Sequence, residues 1–127
     1  STARDYLQFC RMMLNNGAWG DRRYLSRKTV ELMRCNHVPE DLLPIGFEDG
    51  PSPGQGYGLG FGTVMDVGQA GIVGSAGTYY WSGAATTSFW IDPVESMIGI
   101  QMAQFQPSGF HLVAEDFRVS AYQAVND

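Results

Sequence analysis

Serine and histidine are the residues of this chain that could carry covalent acyl chemistry. Ser75, Ser82 or Ser108 would be the nucleophile, and His37 or His111 the base that takes its proton. A serine exposed on a sharp strand-to-helix turn needs the Gly-x-Ser-x-Gly spacing, and Gly74-Ser75-Ala76-Gly77 lacks the two-residue arm, so no such triad is expected. The two histidines lie far apart, with no cysteine or carboxylate at ligand spacing, so neither a metal centre nor another cofactor is expected. Cys10 and Cys35 are too few to staple a fold and fall in segments that read as helices. Both are expected to be buried free thiols, since a disulfide would require the helices to bring their Cα atoms within about 7 Å. Glycine at every second position from Gly54 to Gly62 never supplies Gly-x-Gly-x-x-Gly, and no lysine follows, so the run reads as a strand rather than a phosphate loop.

These groups sit in 127 residues, the size of one compact domain or of one piece of a larger one. A composition of 44% hydrophobic and 17% charged residues suits a chain that collapses around a core and does not suit disorder. Thirteen Asp plus Glu against eight Lys plus Arg give a formal charge of −5, which would repel a phosphate backbone or an anionic lipid surface. No nucleic-acid or membrane partner is expected. No window nears the ~18 consecutive apolar residues of a membrane span, and the stretch from Ser1 to Asp5 has neither a basic nor an apolar leader region.

Thr2 is placed to cap a helix with Asp5 at its third position, and Tyr6, Phe9, Cys10, Met13 and Leu14 recur at three- and four-residue steps. Asn15-Asn16-Gly17 ends it, and Trp19 to Tyr24 form a turn. Ser26 then caps a second helix, with Val30, Met33 and His37 along one side and Leu32 widening it, closed by Pro39. Residues 40–55, studded with Pro44, Pro51 and Pro53, read as a long exposed loop. The glycine-alternating run predicts a strand with Tyr57, Leu59, Phe61 and Thr63 on one face and bare backbone on the other, against which another element must pack closely. Three more strands over 77–82, 86–91 and 97–103 complete an antiparallel meander, with Asp92-Pro93 opening the last turn. Of Tyr79-Tyr80 and of Phe89-Trp90, one member each should be core. A final helix over 110–125 turns Val113, Phe117, Ala121, Ala124 and Val125 to the sheet, and Glu115, Asp116, Arg118 and Gln123 to solvent. The expected class is α+β, an antiparallel meander with flanking helices.

Four segments, in this order, resemble a known group. They are Thr2-Ala3-Arg4-Asp5-Tyr6-Leu7-Gln8-Phe9 with Met13-Leu14-Asn15-Asn16-Gly17, Leu25-Ser26-Arg27-Lys28-Thr29-Val30-Glu31-Leu32-Met33, Gly56-Tyr57-Gly58-Leu59-Gly60-Phe61, and the stretch from Trp81-Ser82-Gly83-Ala84 to Asp92-Pro93. Together they resemble the C-terminal portion of the serine β-lactamase, penicillin-binding protein and family VIII carboxylesterase group. The resemblance spans nearly the whole chain and implies a partial β-lactamase-like fold and acyl transfer through a serine ester. In that group a Ser-x-x-Lys helix supplies the nucleophile and its lysine activator. A Tyr-x-Asn or Ser-x-Asn loop adds a second proton-transfer group, and a Lys-Thr-Gly strand, Trp-Gly-Gly or His-x-Gly in esterase members, lines the pocket. By resemblance, Trp81, Ser82 and Gly83 are that strand and bind substrate, while the backbone N–H of Ala84 completes the oxyanion hole.

The other two motifs are absent. The only lysine is Lys28, with Leu25 three residues before it, and none of the six tyrosines nor any serine has asparagine two positions later. The resemblance therefore implies that residues 1–127 are a single unit, the C-terminal part of a serine hydrolase domain, inactive alone because its N-terminal catalytic segment is missing. A small-molecule ester or lactam would be a substrate only once that segment completes the site. Trp81 in place of lysine removes a cationic partner for a lactam carboxylate worth about 1.5–3 kcal/mol, which favours neutral esters. The missing segment would also supply further strands, so the strand over 97–103 should present a bare edge that associates with it or with a second copy. A second reading is a non-catalytic binding module with an aromatic cleft of Trp81, Tyr79 and Phe89, and a third is a structural remnant. Trp81 as simple lining, Ser82 as a solvated hydroxyl and Gly83 as a point of close backbone approach need no chemistry.

Overall fold

The computed structural model describes residues 1–47 and 50–125. Helix α1 (Ala3–Leu14) begins where Thr2 Oγ1 accepts the Asp5 N–H (3.1 Å) and donates to the Asp5 carboxylate (2.8 Å), satisfying a first-turn donor that has no partner within the helix. It ends at Leu14, and the chain turns away at Gly17, whose φ of +90° carries no penalty in glycine and where a Cβ would lie 2.2 Å from the Leu25 carbonyl oxygen. The turn that follows is a small hairpin of β1 (Ala18–Trp19) and β2 (Arg22–Arg23). Helix α2 (Arg27–Arg34) is capped by Ser26 Oγ, which accepts the Thr29 N–H (3.0 Å). It stops well before Pro39, because Cys35 turns extended and the His37 ring folds back to the Leu32 carbonyl (2.7 Å). Val30 and Met33 face the core, whereas Leu32 points outward and does not widen that face.

The stretch expected to be a loop contains a 3₁₀ turn (Glu40–Leu42) and a hairpin of β3 (Ile45–Phe47) with β4 (Gly50–Ser52). Its prolines are tolerated because a two-stranded hairpin leaves outward-facing positions where no ladder donor is needed. The glycine run is not one strand but two, β5 (Gln55–Tyr57) and β6 (Gly62–Val64), paired with each other. The Gly58 N–H bonds the Phe61 carbonyl (2.7 Å), and Gly60 at φ +91° supplies the reversal. The expected close approach to bare backbone is present. A Cβ on Gly56 would lie 2.4 Å from Asn36 Oδ1, and one on Gly58 2.2 Å from the Met33 carbonyl oxygen, so the glycines seat the end of α2 on the hairpin.

Strands β7 (Tyr79–Gly83), β8 (Thr87–Asp92) and β9 (Met97–Gln101) complete a five-stranded antiparallel meander, β5-β6-β7-β8-β9, after a short helix α3 (Val67–Ala70). The α+β class is as expected. Among the described residues β9 pairs with β8 alone and so ends the sheet. One face packs on α1, where Cys10 and Met13 meet Phe61, Tyr79, Phe89 and Ile91, with the Tyr6 ring 5.0 Å from Phe89. The other face carries helix α4 (Val113–Tyr122), whose Phe117 meets Trp90 edge-on at 5.1 Å. Because both faces are covered, Phe89 and Trp90 are both buried, where only one of them was expected to be core.

Helix α4 is shorter than expected, and its inner face is rotated. Val113 is exposed, Ala124 lies past the helix end in the open, and Arg118 turns inward over the rings of Tyr80 and Trp90. A guanidinium can cover aromatic rings as an apolar side chain would, so hydrophobic periodicity alone misassigns it. Asp92 ties this face together. Its Oδ1 accepts the Val94 and Glu95 N–H groups (2.9 and 3.2 Å), and its Oδ2 accepts the Ser75 N–H (3.1 Å) and the Tyr122 hydroxyl (2.6 Å). Both cysteines are free. Cys10 is buried, which pushes its thiol up to about 12, but Cys35 is exposed rather than buried because it caps α2 on the solvent side.

Candidate functional site

Strand alternation sends Tyr79 and Trp81 to the α1 face and Tyr80 and Ser82 to the α4 face. Tyr79 is sealed in the core, while Trp81, further along the strand, is 36% exposed with its ring edge-on to Tyr57 at 5.2 Å. Here Ser1 and Tyr6 from the start of α1, Trp81, Ser82 and Gly83 from β7, and the end of β9 enclose a cavity of about 580 Å³. Its walls are apolar rings and neutral hydroxyls and amides, and no Lys, Arg, His, Asp or Glu side chain lines it. Trp81, Ser82 and Gly83 therefore come together at one opening. Ser82 is exposed, and Gly83 is a point of close approach, since a Cβ there would lie 2.5 Å from Thr87 Oγ1.

Ala84 begins the loop joining β7 to β8. The turn's own hydrogen bond runs from the Thr86 N–H to the Gly83 carbonyl (3.0 Å) and leaves the Ala84 N–H outside it. Thr86 holds φ +64°, an uncommon conformation for a β-branched residue. The chain after β9 secures it: the Thr86 hydroxyl donates to the Phe105 carbonyl (2.8 Å), the Phe105 N–H donates to Ala85 (3.1 Å), and Gln101 Nε2 donates to the Thr86 carbonyl (3.3 Å). Ala84 thus sits on a loop pinned from the neighbouring segment, next to Gly83 but not itself among the residues that line the cavity.

The alternative nucleophile sets do not assemble. His37 Nε2 is held by the Leu32 carbonyl, with Cys35 Sγ at 3.5 Å, and the His111 ring rests against Phe105 (5.0 Å) and Phe110 (4.8 Å). Ser75 meets Asp92 through its backbone, and Lys28 pairs with Glu31 on the outer side of α2. Among the described residues no serine hydrogen-bonds a histidine, and no three His, Cys, Asp or Glu side chains cluster as a metal site would need. Of the aromatic cleft, Trp81 and Phe89 reach the cavity, while Tyr79 is buried away from it. Tyr6 and Gln101, which also line the opening, carried only core and strand signals in the sequence.

A family model described as Beta-lactamase matches residues 1–123. Two Mycobacterium tuberculosis relatives, Protein Rv1367c and Uncharacterized protein MT1414, are 34% identical over 111 residues, covering 84% of this chain and 28% of each relative. The chain thus spans under a third of the length of the curated relatives it matches. Among solved structures, EstCE1, described as a hydrolase with promiscuous acyltransferase activity, superposes with a TM-score of 0.77 at 25% identity over 96% of this chain and 30% of its own. Simvastatin synthase (LovD) from Aspergillus terreus shares the fold, with a TM-score of 0.73 at 18% identity over 96% of this chain and 33% of its own.

Proposed function

The chain belongs to the beta-lactamase family, a fold family of serine hydrolases and acyltransferases, and from that membership we propose that residues 1–127 are the C-terminal part of such a domain. They form one wall of an acyl-transfer site whose nucleophile and base lie outside this chain. The observation that carries this reading is the cavity beside β7, which Trp81, Ser82 and Gly83 line together with no side chain able to deprotonate a serine. In this reading Trp81 packs against the acyl or alcohol group, Ser82 and Gly83 border the opening, and the Ala84 N–H meets the developing oxyanion. The uncharged lining offers no partner for a lactam carboxylate, so the substrate class is a neutral ester. The free side of β9 takes up strands from the missing segment or from a second copy.

The test is hydrolysis of a p-nitrophenyl ester by this chain and by the natural polypeptide with its upstream sequence. The chain alone should match the buffer rate and the longer form should turn over. A longer form without a Ser-x-x-Lys helix, or one inert toward neutral esters, would overturn the reading.

A further inference from the structure

On the opposite face of the sheet, under α4, lies a second cavity of about 340 Å³. Ile72 and Val73, from the segment after α3, and Val119 of α4 form its apolar walls, and Trp90 and Tyr80 its floor. Its single cation is Arg118, whose guanidinium carbon lies 5.2 Å from the Trp90 ring centre and 5.7 Å from that of Tyr80. Ring faces can balance the charge of a guanidinium but give its in-plane N–H groups no acceptor. Among the described residues no carboxylate pairs with it; the ion pairs found there join Arg27 and Lys28 to Glu31. Glu115, one turn earlier on the helix, lines the same cavity without pairing. Desolvation draws the Arg118 pKa below the ordinary guanidinium value, only partly opposed by Tyr122, Tyr80, Glu115 and Asp92.

We propose that this cavity binds a small amphipathic carboxylate, its head on the in-plane N–H groups of Arg118 and its hydrocarbon tail against Ile72, Val73 and Val119. A carboxylate supplies both the missing charge and two acceptors in the fork geometry that guanidinium favours. This cavity adjoins the acyl-transfer cavity, with Trp81, Ser82, Ser88 and Phe89 in the lining of both, but Arg118, Ile72, Val73 and Val119 line this one alone.

The test is titration with octanoate at neutral pH, followed by tryptophan emission and by the NMR signal of Arg118 Nε–H. Saturable binding that shifts this signal is expected, with methyl octanoate, which lacks the charge, weaker by about tenfold or more. Arg118→Met should weaken octanoate binding by a similar factor. Because that change also removes packing over Trp90, Val73→Asp provides a second arm at a position 43% exposed, where an added anion should repel the ligand without lowering the melting temperature. Equal binding of octanoate and its methyl ester, an unaffected Val73→Asp variant, or shifts confined to the α1-face cavity would overturn the proposal.

Discussion

Replacing Asp92 by asparagine keeps the shape of the side chain and removes its charge where four donors converge. Asparagine retains an acceptor for Val94 and Glu95, but its NH₂ group then faces the Ser75 N–H and the Tyr122 hydroxyl. The Ser75 donor loses its acceptor in a partly buried place, which costs about 1–3 kcal/mol. The Tyr122 hydroxyl can rotate to accept instead, but the bond becomes neutral and weakens by about 1 kcal/mol. The sum is about 2–4 kcal/mol, a large part of the stability of a domain this size. Burial pushes the Asp92 carboxyl up, but hydrogen bonds from Tyr122, Glu95, Ser75 and Val94 together outweigh it and hold the group below its ordinary value. A carboxylate whose native pKa lies below its unfolded one stabilises fully above the unfolded value, near pH 4, and loses that contribution as pH falls through the native value. Urea denaturation at pH 7 should therefore show the full gap between the two proteins, and the gap should narrow as the pH falls below the unfolded value near 4. A gap under about 1 kcal/mol at pH 7, or one that widens in acid, would refute the assignment.

Gly99 lies opposite Trp90 in the ladder, and a Cβ there would sit 2.2 Å from ring carbons already fixed by Phe117 and Arg118. Gly99→Ala should therefore cost about 1–3 kcal/mol by urea denaturation, and an unchanged midpoint would contradict this packing. A thiol-specific disulfide reagent at pH 8 should modify Cys35 at once and Cys10 only after denaturation, because the Cys10 thiol is buried and pushed up to about 12; equal rates for both would contradict the burial. The free side of β9 should make the isolated chain self-associate at micromolar concentration, and a stable monomer in sedimentation velocity would count against that edge being open.

What the sequence conveyed directly were the features set by neighbours along the chain. Thr2 with Asp5, and Ser26 by itself, announce two helix starts, and at the Asp92-Pro93 turn the Val94 N–H donates to Asp92 as expected. What it hid depends on contacts distant in sequence. The glycine run became a hairpin because Asn36 and Met33 press against Gly56 and Gly58, and no local pattern records that pressure. The β3–β4 hairpin was masked by prolines that fit a short outlying ladder, and Arg118 was given to solvent because a cation lying on Trp90 and Tyr80 has no hydrophobic signature. Trp81, Ser82 and Gly83, which line the cavity, and Ala84, which does not, are singled out in the sequence only through the likeness of their segment to a known family. Tyr6 and Gln101 were missed because the cavity forms between elements rather than within one.

Whether any hydroxyl here is activated for acyl transfer is read most directly by intact-mass spectrometry of the isolated chain after exposure to a p-nitrophenyl ester or a fluorophosphonate. With no lysine or histidine among the residues that line the cavity, Ser82 and Ser88 should remain unmodified. One equivalent of acyl or phosphonyl group on a cavity serine, with no other polypeptide present, would contradict the assignment of nucleophile and base to a segment outside this chain.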